Sequence, residues 1–153
     1  MKENKKSIVY IDMDDTLLEF AQAYSVAREA RPYIPFPQSI PGFFSGLEPK
    51  PLAVEIFNRL FDDPKLDVYI LTAPSLKNPL CYTEKRLWVE EHLGMRAVAK
   101  LIICPNKALL KGDYLIDDYA EGKGQESFEG KLIQFGTADY PDWRTVNDYF
   151  SVG

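Results

Sequence analysis

Histidine occurs once in the 153 residues, as His92, and cysteine twice, as Cys81 and Cys104. A single histidine excludes a His-rich zinc centre and any hydrolytic triad built around several histidines; His92 is expected on the surface of a helix. Two cysteines without a Cys-x-x-Cys partner give no disulfide framework, so reduced thiols are expected. No apolar stretch approaches the length that spans a bilayer. The opening Met1-Lys2-Glu3-Asn4-Lys5-Lys6 is basic, but the apolar run after it is too short for a signal peptide, and a cytoplasmic location is the expectation. A clustered basic stripe is also missing. With 18 Lys and Arg against 23 Asp and Glu, the net charge is −5, which argues against polymeric nucleic acid and anionic membrane as partners. No internal repeat is visible, and the length suits one domain over residues 1–153 with a real core.

What is present begins at Ile8-Val9-Tyr10-Ile11, an uninterrupted apolar run that fits a parallel strand buried on both faces. It ends in Asp12-Met13-Asp14-Asp15-Thr16. The carboxyl ends of such strands are where ligands sit in open α/β sheets, and carboxylates packed there are unstable unless a positive group neutralises them. A hard divalent cation is the expected neutraliser, and Mg²⁺, which takes one or two carboxylates plus water and substrate phosphate, points to phosphate chemistry. The same event recurs downstream. Leu66-Asp67-Val68-Tyr69-Ile70-Leu71 stops at Thr72-Ala73-Pro74; Leu101-Ile102-Ile103-Cys104 stops at Pro105-Asn106-Lys107; Tyr114-Leu115-Ile116 stops at Asp117-Asp118. Four strand ends would thus deliver acids, a hydroxyl and a cation to one edge of a sheet.

Between these runs, residues 50–61 predict an amphipathic helix with Leu52, Ile56, Phe57 and Leu60 on one face, and residues 82–93 another with Leu87, Trp88 and Leu93, ended by Gly94. Residues 131–135 predict a fifth strand and 141–150 a closing helix that buries Trp143, Val146 and Phe150. Strands alternating with helices imply an α/β fold with a doubly wound parallel sheet. Residues 31–46 mix prolines and aromatics in neither period, as a rigid loop does. Residues 119–130 predict an exposed, mobile polar loop.

Asp12-Met13-Asp14-Asp15-Thr16 resembles the DxDxT nucleophile motif of the haloacid dehalogenase (HAD) superfamily, with Thr72, Lys107 and Asp117-Asp118 matching its second, third and fourth motifs in order. Phe20 and the stretches Leu47–Glu55, Glu84–Glu90 and Tyr114–Asp118 look like the 5'(3')-deoxyribonucleotidase family. The resemblance implies a HAD-like, Rossmann-type sheet with a cap insertion after the first strand, here reduced to residues 21–49. It implies a Mg²⁺-dependent phosphomonoesterase for (deoxy)nucleoside monophosphates. Asp12 would be the nucleophile and Asp14 the general acid and base. Thr72 and Lys107 would bind phosphate, and Lys107 is preferred over its neighbour Lys111 on the family's spacing. Asp12, the Asp14 carbonyl and Asp118 would hold the metal, with Asp117 orienting that shell. Phe20, Phe43 and Phe44 would line the substrate pocket; the alternative for Phe43 and Phe44 is a small core of the insertion itself. Asp15 stands where the family often has glycine and is expected to cap a helix rather than to catalyse. Ala73 replaces a frequent second hydroxyl, and Tyr119 a frequent arginine.

A signalling receiver domain carries similar residues in another order, with the acid pair leading and the Thr and Lys last, so the order here excludes it. A HAD phosphatase for another phosphorylated metabolite and a non-catalytic nucleotide-binding relative are the remaining alternatives, and a homodimer is left open.

Overall fold

A computed structural model describes residues 4–151. In chain order it comprises β1 (Ser7–Ile11), α1 (Phe20–Ala30), α2 (Ala53–Phe61), β2 (Leu66–Thr72), α3 (Cys81–Leu93), α4 (Met95–Val98), β3 (Leu101–Ile103), β4 (Tyr114–Asp117), β5 (Lys131–Gln134) and α5 (Trp143–Ser151). Single 3₁₀ turns lie at Pro37–Ser39, Phe44–Gly46, Lys107–Leu109 and Gln125–Ser127. The five strands form one parallel sheet in the order β3-β2-β1-β4-β5. The chain winds outward from β1 to β3, then returns to the opposite flank of β1. That reversal makes the crevice between the carboxyl ends of β1 and β4 the natural ligand position.

Strand alternation sorts side chains to two unlike faces. Val9, Ile11, Val68, Ile70, Ile116 and Ile133 pack with Ile56, Phe57 and Leu60 of α2, Trp88 and Val89 of α3, and Trp143 and Val146 of α5. The other face gathers only Tyr10, Leu71, Leu115 and Phe128 as buried members. The segments flanking β4 meet this face through Lys111, Gly112 and Phe128, with loop and 3₁₀ turn instead of helix. The Tyr10 hydroxyl donates to the Lys111 carbonyl at 2.7 Å. Gly112 lies so close above that ring that a Cβ would stand 2.5 Å from Tyr10 Cε2, a contact no other residue could make without displacing the ring. Residues 119–130 form the largely exposed loop expected of their polarity, but Gln125 and Phe128 within it are buried.

The five predicted strands and three predicted helices form, with shifted edges and altered faces. Leu52 is not on the buried face of α2 but precedes it with φ +64°, and Ala53 takes the inner place. In α3 Trp88 and Leu93 are buried as expected, but Leu87 is 45% exposed and Glu84 and Lys85 are buried beside Trp88. His92 is half-buried with its ring 4.6 Å from Trp88. Helix α1 was not foreseen by periodicity, because none of its residues is buried and no apolar stripe was needed. It belongs to an excursion whose outgoing and returning strands touch at the base, where Glu19 N–H donates to the Glu48 carbonyl and Lys50 N–H to the Leu17 carbonyl.

Candidate active site

Hydrogen bonding at the switch point fixes Asp12 directly beyond β1, its N–H donating to the Ile116 carbonyl of β4 at 2.9 Å. β4 delivers Asp117 and Asp118 alongside. Carboxylate oxygens of Asp12, Asp117 and Asp118 all lie within 4.8 Å of one another. Between them stands Lys107, 2% exposed, with Nζ 2.8 Å from Asp12 Oδ1 and 2.5 Å from Asp117 Oδ2. The Asn106 side chain accepts the Ala108 N–H and starts the 3₁₀ turn that carries this lysine inward. Lys111 faces solvent and pairs with Glu129.

Three acids at such range perturb one another. Burial, then the Asp12 charge, raises the Asp117 carboxyl against the pull of Lys107. Burial and Asp12 together push Asp118 up to about 9. Burial opposes the Lys107 charge, but Asp12 and Asp117 outweigh it and hold the ammonium above the ordinary lysine range. Asp117 is already saturated with protein donors. Its Oδ2 accepts from Lys107 and Gln125 Nε2 and its Oδ1 from the Tyr119 N–H. Among the described residues Asp118 accepts a single long side-chain contact, 3.4 Å from Thr16 Oγ1, which also reaches Asp12 Oδ2 at 3.3 Å. Of the acid pair, Asp118 is thus the one free to bind a cation.

Asp14 sits in the turn after Asp12. Burial raises its carboxyl above the usual range, against the opposing attraction of Lys85. Its Oδ2 is 3.2 Å from Lys85 Nζ, while its Oδ1 is enclosed without a hydrogen-bond partner. The same Lys85 Nζ donates to Thr72 Oγ1 at 2.6 Å and to the Ala73 carbonyl at 2.7 Å. Asp15 has φ +57°, and its Oδ1 accepts the N–H groups of Phe20 and Ala21, the first two residues of α1. It therefore serves the helix start from outside, as its sequence position suggested.

Asp12, Asp14, Asp15, Lys107, Asp117 and Asp118 line a cavity of about 430 Å³, in the usual size range of small-molecule sites, whereas the fully buried Thr72 and Lys85 do not line it. Phe20 and Phe44 stack at 5.9 Å and 23° on the insertion side of its wall. Phe43 lies behind, edge-on to Phe20 at 5.7 Å and to Phe44 at 5.3 Å, and does not line the cavity. Phe36 and Gln38 continue this wall, facing Pro74, Ser75, Leu76 and Lys77, and Lys77 Nζ lies 3.5 Å from the Phe36 ring centroid. Tyr119, Lys123 and Gln125 complete the third side.

Sequence reasoning missed Lys85 and Gln125. No local signal marked Lys85 as a site residue, although it lies in the Glu84–Glu90 stretch that carries the family resemblance. Gln125 stood in a loop whose polarity suggested exposure. Glu84 was missed likewise; its Oε1 accepts the Gly42 N–H and its Oε2 accepts Asn78 Nδ2 at 3.0 Å, which ties the insertion to α3.

Residues 33–150 match the family described as 5' nucleotidase, deoxy (pyrimidine), cytosolic type C protein. The chain is 38% identical over 152 residues to a protein of Vibrio phage KVP40 named putative 5'(3')-deoxyribonucleotidase, an alignment covering 98% of this chain and 88% of that one. It is 44% identical over 86 residues to the human cytosolic-type 5'(3')-deoxyribonucleotidase, covering 56% of this chain and 43% of the human protein. Among solved structures, a HAD family hydrolase from Deinococcus radiodurans, determined with phosphate and sodium bound, superposes with a TM-score of 0.56 at 11% identity over 99% of this chain and 90% of the other. The last likeness concerns the fold alone. The chain belongs to the 5'(3')-deoxyribonucleotidase family of phosphatases.

Proposed function

We propose that this chain hydrolyses nucleoside monophosphates through an aspartyl-phosphate on Asp12, with Mg²⁺ as cofactor and residues 21–49 as a reduced cap over the pocket. One observation carries the reading: a buried acid and cation constellation at the mouth of β1 and β4 opens into a cavity walled by stacked aromatic rings.

The Asp12 carboxylate attacks phosphorus, and the P–O bond to the nucleoside oxygen breaks. A hard cation fits the donors available, since Asp12 and Asp118 offer adjacent carboxylate oxygens, and burial together with the Asp12 charge raises Asp118. Asp12, Asp118 and the Asp14 carbonyl would hold Mg²⁺, with Asp117 orienting the shell through Lys107 and Gln125. When bound, the ion would offset the negative charge of carboxylates and phosphate.

Asp14 protonates the departing alkoxide and later takes a proton from the water that cleaves the acyl phosphate. Burial favours the neutral carboxyl required for the first step. Lys107 keeps Asp12 oriented and offers its charge to the phosphoryl oxygens, and the Thr72 hydroxyl contributes a donor to the same oxygens. Lys85 spans the general acid and the Thr72 loop, so it fixes their separation and adds a second buried cation to the phosphate side. Half-buried Phe20 offers the base a stacking surface and is backed by the buried Phe44.

Turnover of nucleotides, sugar phosphates and an aryl phosphate, measured with and without Mg²⁺, tests this reading. Nucleoside monophosphates are expected among the best substrates, with activity lost in excess chelator and restored by Mg²⁺. Full activity in chelator would remove the metal, and failure on every nucleotide would remove the nucleotidase assignment.

A further inference from the structure

Gln125 is 4% exposed within a segment that is otherwise largely in solvent, and both ends of its amide are engaged. Its Oε1 accepts the Lys123 N–H at 2.7 Å, and its Nε2 donates to Asp117 Oδ2 at 3.2 Å. The two partners fix which end of the amide faces the acid, since a backbone N–H only donates and an ionised carboxylate only accepts.

These bonds close a ring. The Lys123 carbonyl accepts the Lys107 N–H at 2.7 Å, and Lys107 Nζ returns to the same Asp117 Oδ2 that Gln125 reaches. Lys123 thus holds the main chain of Lys107 and Asp117 holds its ammonium, while Gln125 ties those two anchors to each other. The segments are pressed together around the ring. At Gly124, with φ +90°, a Cβ would stand 2.2 Å from Asn106 Oδ1 and 2.9 Å from the Lys107 nitrogen, so glycine alone permits the approach. Phe128, buried edge-on to Tyr10, anchors the far end of the 3₁₀ turn that Gln125 begins.

A lysine ammonium sits on a flexible four-carbon stem, and its position is defined only when both backbone and head are held. Resting on the phosphoryl-transfer reading above, we infer that Gln125 is a positioning residue for catalysis, which fixes the Lys107 ammonium between the nucleophile Asp12 and Asp117. Gln125 reaches the cavity wall, but both ends of its amide are bound within the protein, so it acts on the reaction through Lys107. Segment 121–125, which forms the third side of the cavity, belongs by this assignment to the phosphate half of the site.

A double-mutant cycle tests the assignment. kcat and KM for p-nitrophenyl phosphate and for thymidine 5'-monophosphate are measured in the wild type, Gln125→Met, Lys107→Met and the double variant, each with a melting curve. Methionine keeps the volume of the glutamine and removes both hydrogen bonds. Gln125→Met should lower kcat about tenfold on both substrates, with KM changed by less than about twofold. In the Lys107→Met background the same substitution should cost less than about twofold, because the lysine through which it acts is gone. Gly124→Ala, which forces the Lys123 and Lys107 segments apart from another side of the ring, should reproduce both the loss in kcat and its disappearance without Lys107. Wild-type kcat in either variant, an equal loss in the two backgrounds, or a rise in KM confined to the nucleotide overturns the assignment. A wild type that cleaves the aryl phosphate and no nucleotide overturns the nucleotidase reading instead, and leaves the cycle to be decided on the aryl phosphate.

Discussion

The two halves of the cavity are built on opposite terms. The phosphate half sits at the sheet edge: Asp12, Thr72, Lys107 and Asp117 at or just past strand ends, and Lys85 on α3, are all buried, and each charge is within reach of an opposite one. The base half hangs on an excursion whose helix α1 has no buried residue, and whose Phe20, Phe43 and Phe44 pack on one another and reach the main core chiefly through the buried Phe44. A reaction that moves charge needs fixed dipoles and ions, which only a rigid sheet edge supplies. A pocket that accepts a flat ring needs area and can sit on a less embedded segment. Substitutions in the two halves should therefore separate kcat from KM.

The sharpest break is in the phosphate half. Asp12→Asn should lower kcat by about 10⁴-fold or more while circular dichroism and melting stay near those of the wild type, because shape is kept and nucleophilic charge lost. Lys107→Ala should cost far more activity than Lys111→Ala, whose lysine is exposed and paired only with Glu129. The reverse order would place the phosphate-side cation elsewhere.

Lys85→Met sits next in size. It keeps the volume but leaves Asp14, Thr72 and the Ala73 carbonyl short of a donor, and should lower kcat about 100-fold with KM changed much less. A pure KM effect would transfer Lys85 to the pocket half.

Phe20→Ala probes the other side. Loss of one stacking face, worth about 1–3 kcal/mol per base, should raise KM for nucleoside monophosphates roughly tenfold and affect a small aryl phosphate far less. Glu84→Ala should act in the same direction by releasing Gly42 and Asn78, and Glu84→Gln should rescue part of it. Equal losses on both substrates would erase the division between the halves.

The smallest effect is on stability and concerns charge stored at the sheet edge. Asp118 titrates at about 9 in the folded chain, against roughly 3.9 in an unfolded one. Between those values the native state keeps a proton that the unfolded state has released, so stability falls as pH rises from about 4 to about 9. Melting temperature in chelator should decline across that interval. Mg²⁺ should flatten the decline, and Asp118→Asn should flatten it and raise the melting temperature at neutral pH by about 3 °C. A pH-independent melting curve in chelator would mean that the acid cluster is not strained.

Much of this division was legible before any coordinates, though unevenly. Apolar runs ending in Asp12, Thr72 and Asp117 announced the strands and the edge they share, because burial of a parallel strand on both faces demands such runs. The order of those residues carried the family. The insertion was legible only as an irregularity, because prolines and aromatics in no period predict a loop without predicting what it rests on. α1 escaped for the converse reason: a helix that buries nothing leaves no periodic trace.

By itself the sequence determined the chemistry offered: acids and a hydroxyl at strand ends, a lysine ten positions before an acid pair, aromatics in one insertion. Local physics suffices there, since strand burial and turn conformation depend on neighbours along the chain. Only the tertiary structure decided which groups meet. Lys85 reaches Asp14 across 71 residues, Lys107 reaches Asp12 across 95, and Glu84 reaches Gly42 across 42. A buried charge is tolerated only where its partner already stands, and such partners, distant in sequence, are supplied by strand order and helix packing.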